Sequence, residues 1–292
     1  MSGANSPAEP PHIEWRPSRA WLAAALPSIV LLLAVFAVPF LLLTENSFRL
    51  DEGLGQLSAE FTLSNYISFL TDSFYLSMLG RTFLMGLVVV LACVILGYPV
   101  AYFIARSSGA LRGLSMFLVV APLLISLVIR NLGMFPVLGE SGLVNSILMS
   151  LRITSAPLVL LNNMIGVEIG LTHALLPLMI LSLVVAIQSV EYDLELASAS
   201  LGAFPIRTFF FVIVPLTRSG LLAGSMLVFT LAISAYTTPV MLGGNRVLVM
   251  STFIGKEMLT VLEYGVAAAC SVVLVTVTLL LTAPAARSRK TT

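Results

Sequence analysis

Long apolar segments alternate with shorter polar segments along most of this 292-residue chain. A helix that crosses a bilayer needs about 20 mostly apolar residues, and a closed β-barrel would not contain runs this apolar. Segments that meet the requirement lie at about 21–43, 79–105, 112–133, 163–187, 218–241 and 262–284. We therefore predict an all-α polytopic membrane protein, in which six transmembrane helices form one domain over residues 21–284.

The composition supports this prediction. Hydrophobic residues make up 58% of the chain and charged residues 10%, whereas about 25% of the residues of a soluble domain are charged. Cys93 and Cys270 lie within apolar segments and are interpreted as small apolar residues. The net charge is +1, and basic residues cluster only in the short tail RSRK. Membrane lipid is therefore an expected partner, and nucleic acid is not.

Basic residues in the polar segments predict the direction of insertion. If the N-terminus is cytosolic, nine Lys and Arg residues lie on the cytosolic side and six lie outside, as the positive-inside rule favours. This N-in/C-in topology makes residues 1–20 and 285–292 cytosolic tails, and makes 188–217 the longest cytosolic loop. Residues 44–78 become a long outer segment, for which we predict a short amphipathic cap over the outer face.

The loop 188–217 contains the signals of two helices joined by a tight turn. Small and apolar residues share one face of the first helix, at Leu194, Ala197, Ser198 and Leu201. Gly202 suits the left-handed residue that ends this helix, and Pro205 suits the first turn of the next one. Pro215 then interrupts the backbone hydrogen bonds before the following span. The interpretation is a rigid helix–turn–helix that faces the cytosol.

Two roles suit such a structure. It could dock in a groove of a partner protein, or it could form an amphipathic elbow in the lipid interface. The acidic residues of its first helix favour docking, because interfacial helices usually carry Lys and Arg on their polar face.

The sequence LELASASLGAFPIRTFFFVIVP, residues 194–215, resembles the "EAA" loop of type I ABC importer permeases. That motif has the form E-A-A-x-x-x-G, then nine residues, then I-x-L-P. Ala197 matches the first Ala, Gly202 and Pro215 have the matching spacing, and Val212 and Val214 occupy the I and L positions. The chain departs from the motif at Leu196, which replaces the family's Glu, and at Ser198, which replaces the second Ala. Glu195 lies one position early.

Similarity to these permeases extends over roughly residues 60–280, and residues 234–258 are similar to the end of span 5 in the spermidine/putrescine-type subfamily. The resemblance implies a multi-pass permease subunit in a bacterial inner membrane, with 188–217 as its ATPase-coupling loop. Its implied coupling residues are Glu195, Ala197, Ser198, Gly202, Ala203, Pro205 and Pro215.

The same resemblance implies the partners and the solute. The expected partners are two ATPase subunits, a second and paralogous permease chain, and a periplasmic or extracellular solute-binding protein. A polyamine is the leading solute, with ferric iron, aminoethylphosphonate and opines as alternatives.

Catalytic chemistry is not expected on this chain. The only lysines are Lys256 and Lys290, and neither lies in a P-loop sequence. His12 and His173 are too few for an ordinary structural zinc cluster. We predict no catalytic residue, metal or cofactor here, with ATP and Mg²⁺ bound by the partner ATPase.

Polar residues within the spans are candidates for the translocation path, because such groups are costly in lipid. They are Arg130, Glu168, Thr172, His173, Tyr236, Thr237 and Thr238. Arg130 could pair with Glu168 in a structural ion pair, or its side chain could extend to the interface. The hydroxyl residues before Pro239 could instead stabilise helix packing.

Two other functions stay open from the residues alone. A self-sufficient secondary transporter would usually show inverted repeats, and no convincing duplication is visible. A membrane scaffold would need no polar lining.

Overall fold

The computed structural model describes residues 19–287, and the side chains of residues 25–283. Most of both predicted tails, 1–18 and 288–292, therefore lies outside the described residues. The chain divides into two compact units, residues 1–45 and 46–292. Helix α1, Arg19–Ser47, makes up the described part of the first unit and reaches the start of the second.

A β-hairpin and a short helix open the second unit. Strand β1, Arg49–Gly53, pairs antiparallel with β2, Gln56–Phe61, and α2 follows at Ser64–Thr71. Gly53 and Gly55 of the turn have positive φ, which glycine adopts without strain, and Leu54 between them also has positive φ. An amphipathic cap was expected here; α2 is such a helix, with Asn65 and Phe69 buried, but the hairpin was not expected.

Three long helices form the core: α3, Ser73–Arg106; α7, Met164–Gln188; and α11, Arg218–Ser234. Their contact is lined by fully buried side chains, among them Val89, Cys93, Met179, Leu183 and Val228. Small residues let the helix backbones approach closely. A Cβ added at Gly220 of α11, for example, would lie 2.2 Å from the Cβ of Ala186.

Shorter helices replace the predicted third span, 112–133. Helix α4, Gly109–Val120, continues as a 3₁₀ turn, Ala121–Leu124, and α5 begins only at Leu127. Pro122 lies in that turn, and Ile125 and Ser126 have ψ angles of 135° and 136°, which interrupt the helix. Helices α5, Leu127–Leu138, and α6, Leu143–Ser150, then lead towards α7.

The predicted fifth span, 218–241, is interrupted as well. Helix α11 ends at Ser234, and a π-helical turn runs from Pro239 to Gly243. Pro239 has no N–H to donate to the carbonyl of Ala235. The hydroxyl of Ser251 donates to that carbonyl instead, at 2.6 Å, so this carbonyl is paired in spite of the break.

The remaining elements complete the chain. They are α8, Tyr192–Ser200; α9, Pro205–Thr208; α10, Val214–Leu216; α12, Met250–Lys256; and α13, Tyr264–Arg287. Among the described residues, five segments are long and apolar enough to cross a membrane, if α5 and α6 count together as Leu127–Ser150. The number is six if the bent pair Pro205–Leu216 and Arg218–Ser234 also forms one span. The predicted all-α polytopic fold is confirmed, and the N-in/C-in direction stays a prediction.

Candidate functional site

The loop between α7 and α11 contains the predicted helix, turn and second helix. Helix α8 ends at Ser200, and Gly202 follows in the left-handed conformation with φ of 81°. The N–H of Gly202 donates to the carbonyl of Ala199, and the N–H of Ala203 donates to that of Ser198. These two bonds form a Schellman motif, which satisfies the last carbonyls of the helix.

A side-chain hydrogen bond joins the two arms of the loop. The hydroxyl groups of Ser198 and Thr208 lie 2.9 Å apart. The family motif has Ala at the position of Ser198, so this bond depends on the departure from the motif. It fixes α8 against α9, although the two bonded residues are ten positions apart in the sequence.

The second arm leads into α11 through two irregular turns. Pro205 is the first residue of α9, and a π-helical turn, Phe209–Ile213, follows it. Pro215 lies in α10, after which the chain bends by 72° into α11. Tyr98 of α3 and Thr217 share a buried hydroxyl–hydroxyl hydrogen bond at this bend. The bend is therefore fixed to the core.

Glu195 faces the core of its own chain. Its side chain is buried, with 8% exposed. The hydroxyl of Tyr102 donates to Oε2 at 2.7 Å, and Nε of Arg106 donates to Oε1 at 2.7 Å. Arg106 also forms an ion pair with this carboxylate through Nη2. Sequence reasoning missed Tyr102 and Arg106, although their i, i+4 spacing places both on one face of α3.

Large apolar side chains of the loop remain uncovered. We call them the apolar rim: Leu201, Phe204, Ile206, Phe210 and Phe211, all more than half exposed. Leu201 is 90% exposed at the tip of the turn. Exposed apolar side chains gathered in one loop are typical of a surface that binds a protein or a membrane.

Three of the predicted path residues share one face of α7. Glu168 is half-buried, Thr172 is buried and His173 is exposed. All three line a cavity of about 450 Å³, whose opposite wall is formed by apolar side chains of α3, including Val88 and Ala92. The structure thus places a carboxylate, a hydroxyl and an imidazole beside an apolar surface.

The ion pair between Arg130 and Glu168, one of the two alternatives for Arg130, is not formed. Nη1 of Arg130 donates to the backbone carbonyl of Ala174 at 3.5 Å, and the two side chains form no ion pair within the described part of the chain. A carbonyl on α7 lies closer to the guanidinium than the carboxylate does. Arg130 therefore contacts α7 without neutralising Glu168.

The hydroxyl residues after α11 have different environments. Thr238 is fully buried and accepts a hydrogen bond from Nδ2 of Asn131 at 3.1 Å, as a helix-packing role would require. Tyr236 is exposed and lines a second cavity, of about 430 Å³, together with Lys256. Thr237 is half-buried and does not line either of these cavities.

The chain is similar to several proteins of known function, although no family model matches it. The spermidine/putrescine transport system permease protein PotB of Haemophilus influenzae is 36% identical over 222 residues, which cover 76% of this chain and 77% of that protein. PotB of Escherichia coli is 32% identical over 244 residues, covering 84% and 88%.

A crystal structure of a bacterial ABC transporter involved in the import of the acidic polysaccharide alginate has the same fold. Its chain superposes with a TM-score of 0.72 at 18% identity, covering 94% of this chain and 97% of that one. The fold and the sequence similarity agree, and the chain belongs to the PotB family of ABC importer permease subunits.

Proposed function

We propose that this chain is the permease subunit of an ATP-driven, binding-protein-dependent importer of polyamines in a bacterial inner membrane. The observation that carries the proposal is the similarity to PotB proteins over most of the chain, together with a loop built for docking. ATP hydrolysis takes place on separate ATPase subunits. A second permease chain completes the path, and a solute-binding protein delivers the solute.

The apolar rim supports ATPase docking. Leu201 and Phe204 project from a loop that is rigidified by the Schellman motif and by the Ser198–Thr208 bond. A rigid surface loses little conformational entropy on binding. We infer that the rim is buried in a groove of the ATPase, on the cytosolic side of an N-in/C-in permease.

The cavity beside α7 suits a polyamine chemically. A polyamine combines ammonium groups with methylene segments, and this cavity combines the Glu168 carboxylate with an apolar wall. A carboxylate within a membrane span is costly unless it faces a path or a partner group. We therefore place Glu168, Thr172 and His173 on the solute path.

The proposal is tested in proteoliposomes that contain the whole transporter, with the chain co-expressed with its companion ATPase, permease and binding proteins. We expect uptake of labelled spermidine or putrescine that requires ATP and the binding protein. Uptake driven by an ion gradient without ATP would instead indicate a secondary transporter. If another solute stimulates ATP hydrolysis and the polyamines do not, the chain is still an importer subunit, but its solute is not a polyamine.

Docking is tested by cross-linking from the rim. Ser198 is a poor site because it is half-buried and bonded to Thr208, whereas Leu201 is exposed. Leu201→Cys, in a chain whose Cys93 and Cys270 have been replaced, should form a cross-link to the ATPase that ATP alters. Labelling by lipid-phase reagents alone would indicate an interfacial elbow.

A further inference from the structure

Glu195 differs in orientation from its neighbour at the family's Glu position. Adjacent residues of an α-helix point about 100° apart. Leu196, where the motif has Glu, is 49% exposed, while Glu195 is 8% exposed and lies against α3. The early position of the acid thus places its carboxylate against the chain's own core, whereas a side chain at position 196 is exposed.

We propose that Tyr102, Arg106 and Glu195, here named the Glu195 cluster, fix α8 to the end of α3, so that a displacement of the coupling loop by the ATPase is transmitted to α3. Glu195 is a positioning residue in this proposal and makes no contact with the ATPase or the solute. The inference rests on the proposed function, because it assumes that the loop is displaced by ATPase subunits.

Several hydrogen bonds hold the Glu195 cluster together. Both oxygens of the Glu195 carboxylate accept bonds, from Tyr102 and from Arg106. Arg106 uses Nη2 for the carbonyl of Val190 as well, at 3.2 Å, and its Cζ lies 5.7 Å from the ring centroid of Tyr192. Charge-assisted hydrogen bonds from a planar guanidinium fix both the distance and the orientation of the group that accepts them. The cluster therefore fixes the orientation of α8.

Few other polar contacts join these two helices. In the described residues, every side-chain hydrogen bond between α8 and α3 involves Glu195. The remaining side-chain bond that leaves α8 is that of Ser198 to Thr208, which stays within the loop. Loss of the Glu195 cluster would leave the loop internally rigid but loosely attached to α3.

The test measures solute uptake and ATP hydrolysis in proteoliposomes of the complete transporter. We expect Glu195→Ala to lower the uptake per ATP hydrolysed by about tenfold, the size expected when charge-assisted bonds are lost. Arg106→Glu should do the same. The exchange of both charges, Glu195→Arg with Arg106→Glu, should recover a substantial part of the ratio. Because the readout is uptake per ATP hydrolysed by the assembled transporter, a loss of folded protein alone would not change it.

Two variants guard against misfolding and non-specific charge effects. Tyr102→Phe removes one hydrogen bond and keeps the ring, and should lower the ratio by about threefold. Asp193→Asn removes an exposed acid from the same helix and should leave the ratio within about twofold, since exposed charges contribute little.

Mobility of α8 gives an independent measurement. A spin label at Leu196→Cys, in the chain without native cysteines, should become more mobile when Tyr102→Phe or Glu195→Ala is added. A wild-type ratio and unchanged mobility in Glu195→Ala would overturn the inference and leave the importer intact. A wild-type transporter in which ATP does not drive uptake would overturn the proposed function instead.

Discussion

The carboxylate of Asp51 accepts hydrogen bonds from the backbone N–H of Gly265, at 3.0 Å, and from that of Val266, at 3.1 Å. The hairpin thereby caps the N-terminus of α13, where free N–H groups and the helix dipole both favour an anion. The two segments approach closely, because a Cβ at position 265 would lie 2.4 Å from the carbonyl oxygen of Arg49.

Asp51→Ala should destabilise the protein by about 1 kcal/mol, the usual cost of a lost N-cap. Asp51→Asn keeps an acceptor but loses the charge, so we expect a smaller loss. The measurement is the temperature at which half of the detergent-solubilised protein leaves the monodisperse peak after heating. Glu52→Gln, an exposed neighbour on the same hairpin, is the control and should have no effect.

Two glycines of α3 should respond in opposite ways to alanine. A Cβ at Gly86 would lie 2.6 Å from Cγ2 of Ile233 and 3.0 Å from Phe229, while Gly80 has nothing within 4 Å. Gly86→Ala should therefore lower the melting temperature. Gly80→Ala should leave it unchanged or raise it, because alanine favours a helix by up to about 1 kcal/mol over glycine. Equal responses would contradict the described packing of α3 against α11.

The long spans could be predicted because the bilayer fixes their length and hydropathy. The breaks before Leu127 and after Ser234 could not, since membrane helices tolerate proline and only the surrounding structure decides where the chain bends. The turn of the loop was predictable because Gly202 and Pro205 have strong local preferences.

Contacts between distant segments left no signal in the sequence. Glu195 and Arg106 lie 89 positions apart, and no periodic pattern connects them. Arg130 likewise donates to the backbone carbonyl of Ala174, a partner that residue types alone cannot show.

Gly202→Pro should separate ATP hydrolysis from uptake while the chain still inserts. Proline fixes φ near −65° and lacks the N–H that Gly202 donates to Ala199, so it cannot adopt the observed φ of 81°. Asparagine tolerates the left-handed region, and Gly202→Asn should keep most of the uptake. The readout is uptake per ATP in proteoliposomes, and normal coupling in Gly202→Pro would argue against the docking role.

Glu168→Gln should weaken transport of a polyamine by about tenfold at low solute concentration, since the ammonium group loses a charged partner. The shape of the side chain is kept, so the fold should not change. Initial uptake rates over a range of spermidine concentrations measure the effect. Glu60→Gln, an exposed acid on the hairpin, is the control, and equal rates in the two variants would remove Glu168 from the path.

Glu257 should make stability depend on pH. It lies between α12 and α13, outside the candidate spans, and burial, followed by the charge of Glu263, raises its pKa above the ordinary value. A raised pKa means that the folded state binds the proton more tightly. Its contribution is therefore full at low pH and is lost as the pH rises through the raised pKa.

Glu257→Gln should accordingly raise the melting temperature at pH 7 to 8 and have little effect near pH 4. Melting curves of wild type and variant across this range give the comparison. An equal shift at every pH would mean that the effect of the substitution does not come from proton binding.

Helix α3 continues through Pro99 for 34 residues, which gives a length of about 50 Å at about 1.5 Å per residue. The hydrocarbon core is only about 30 Å thick, so α3 extends well beyond it. Phe74 packs against Phe253 at one end, and Arg106 holds Glu195 at the other. Each end of the helix lies about 25 Å from its midpoint, so a tilt of about 10° about the midpoint would shift each end by about 4 Å. That shift exceeds the 2.7 Å between Nε of Arg106 and Oε1 of Glu195, so the coupling loop must move with α3 whenever this hydrogen bond stays intact.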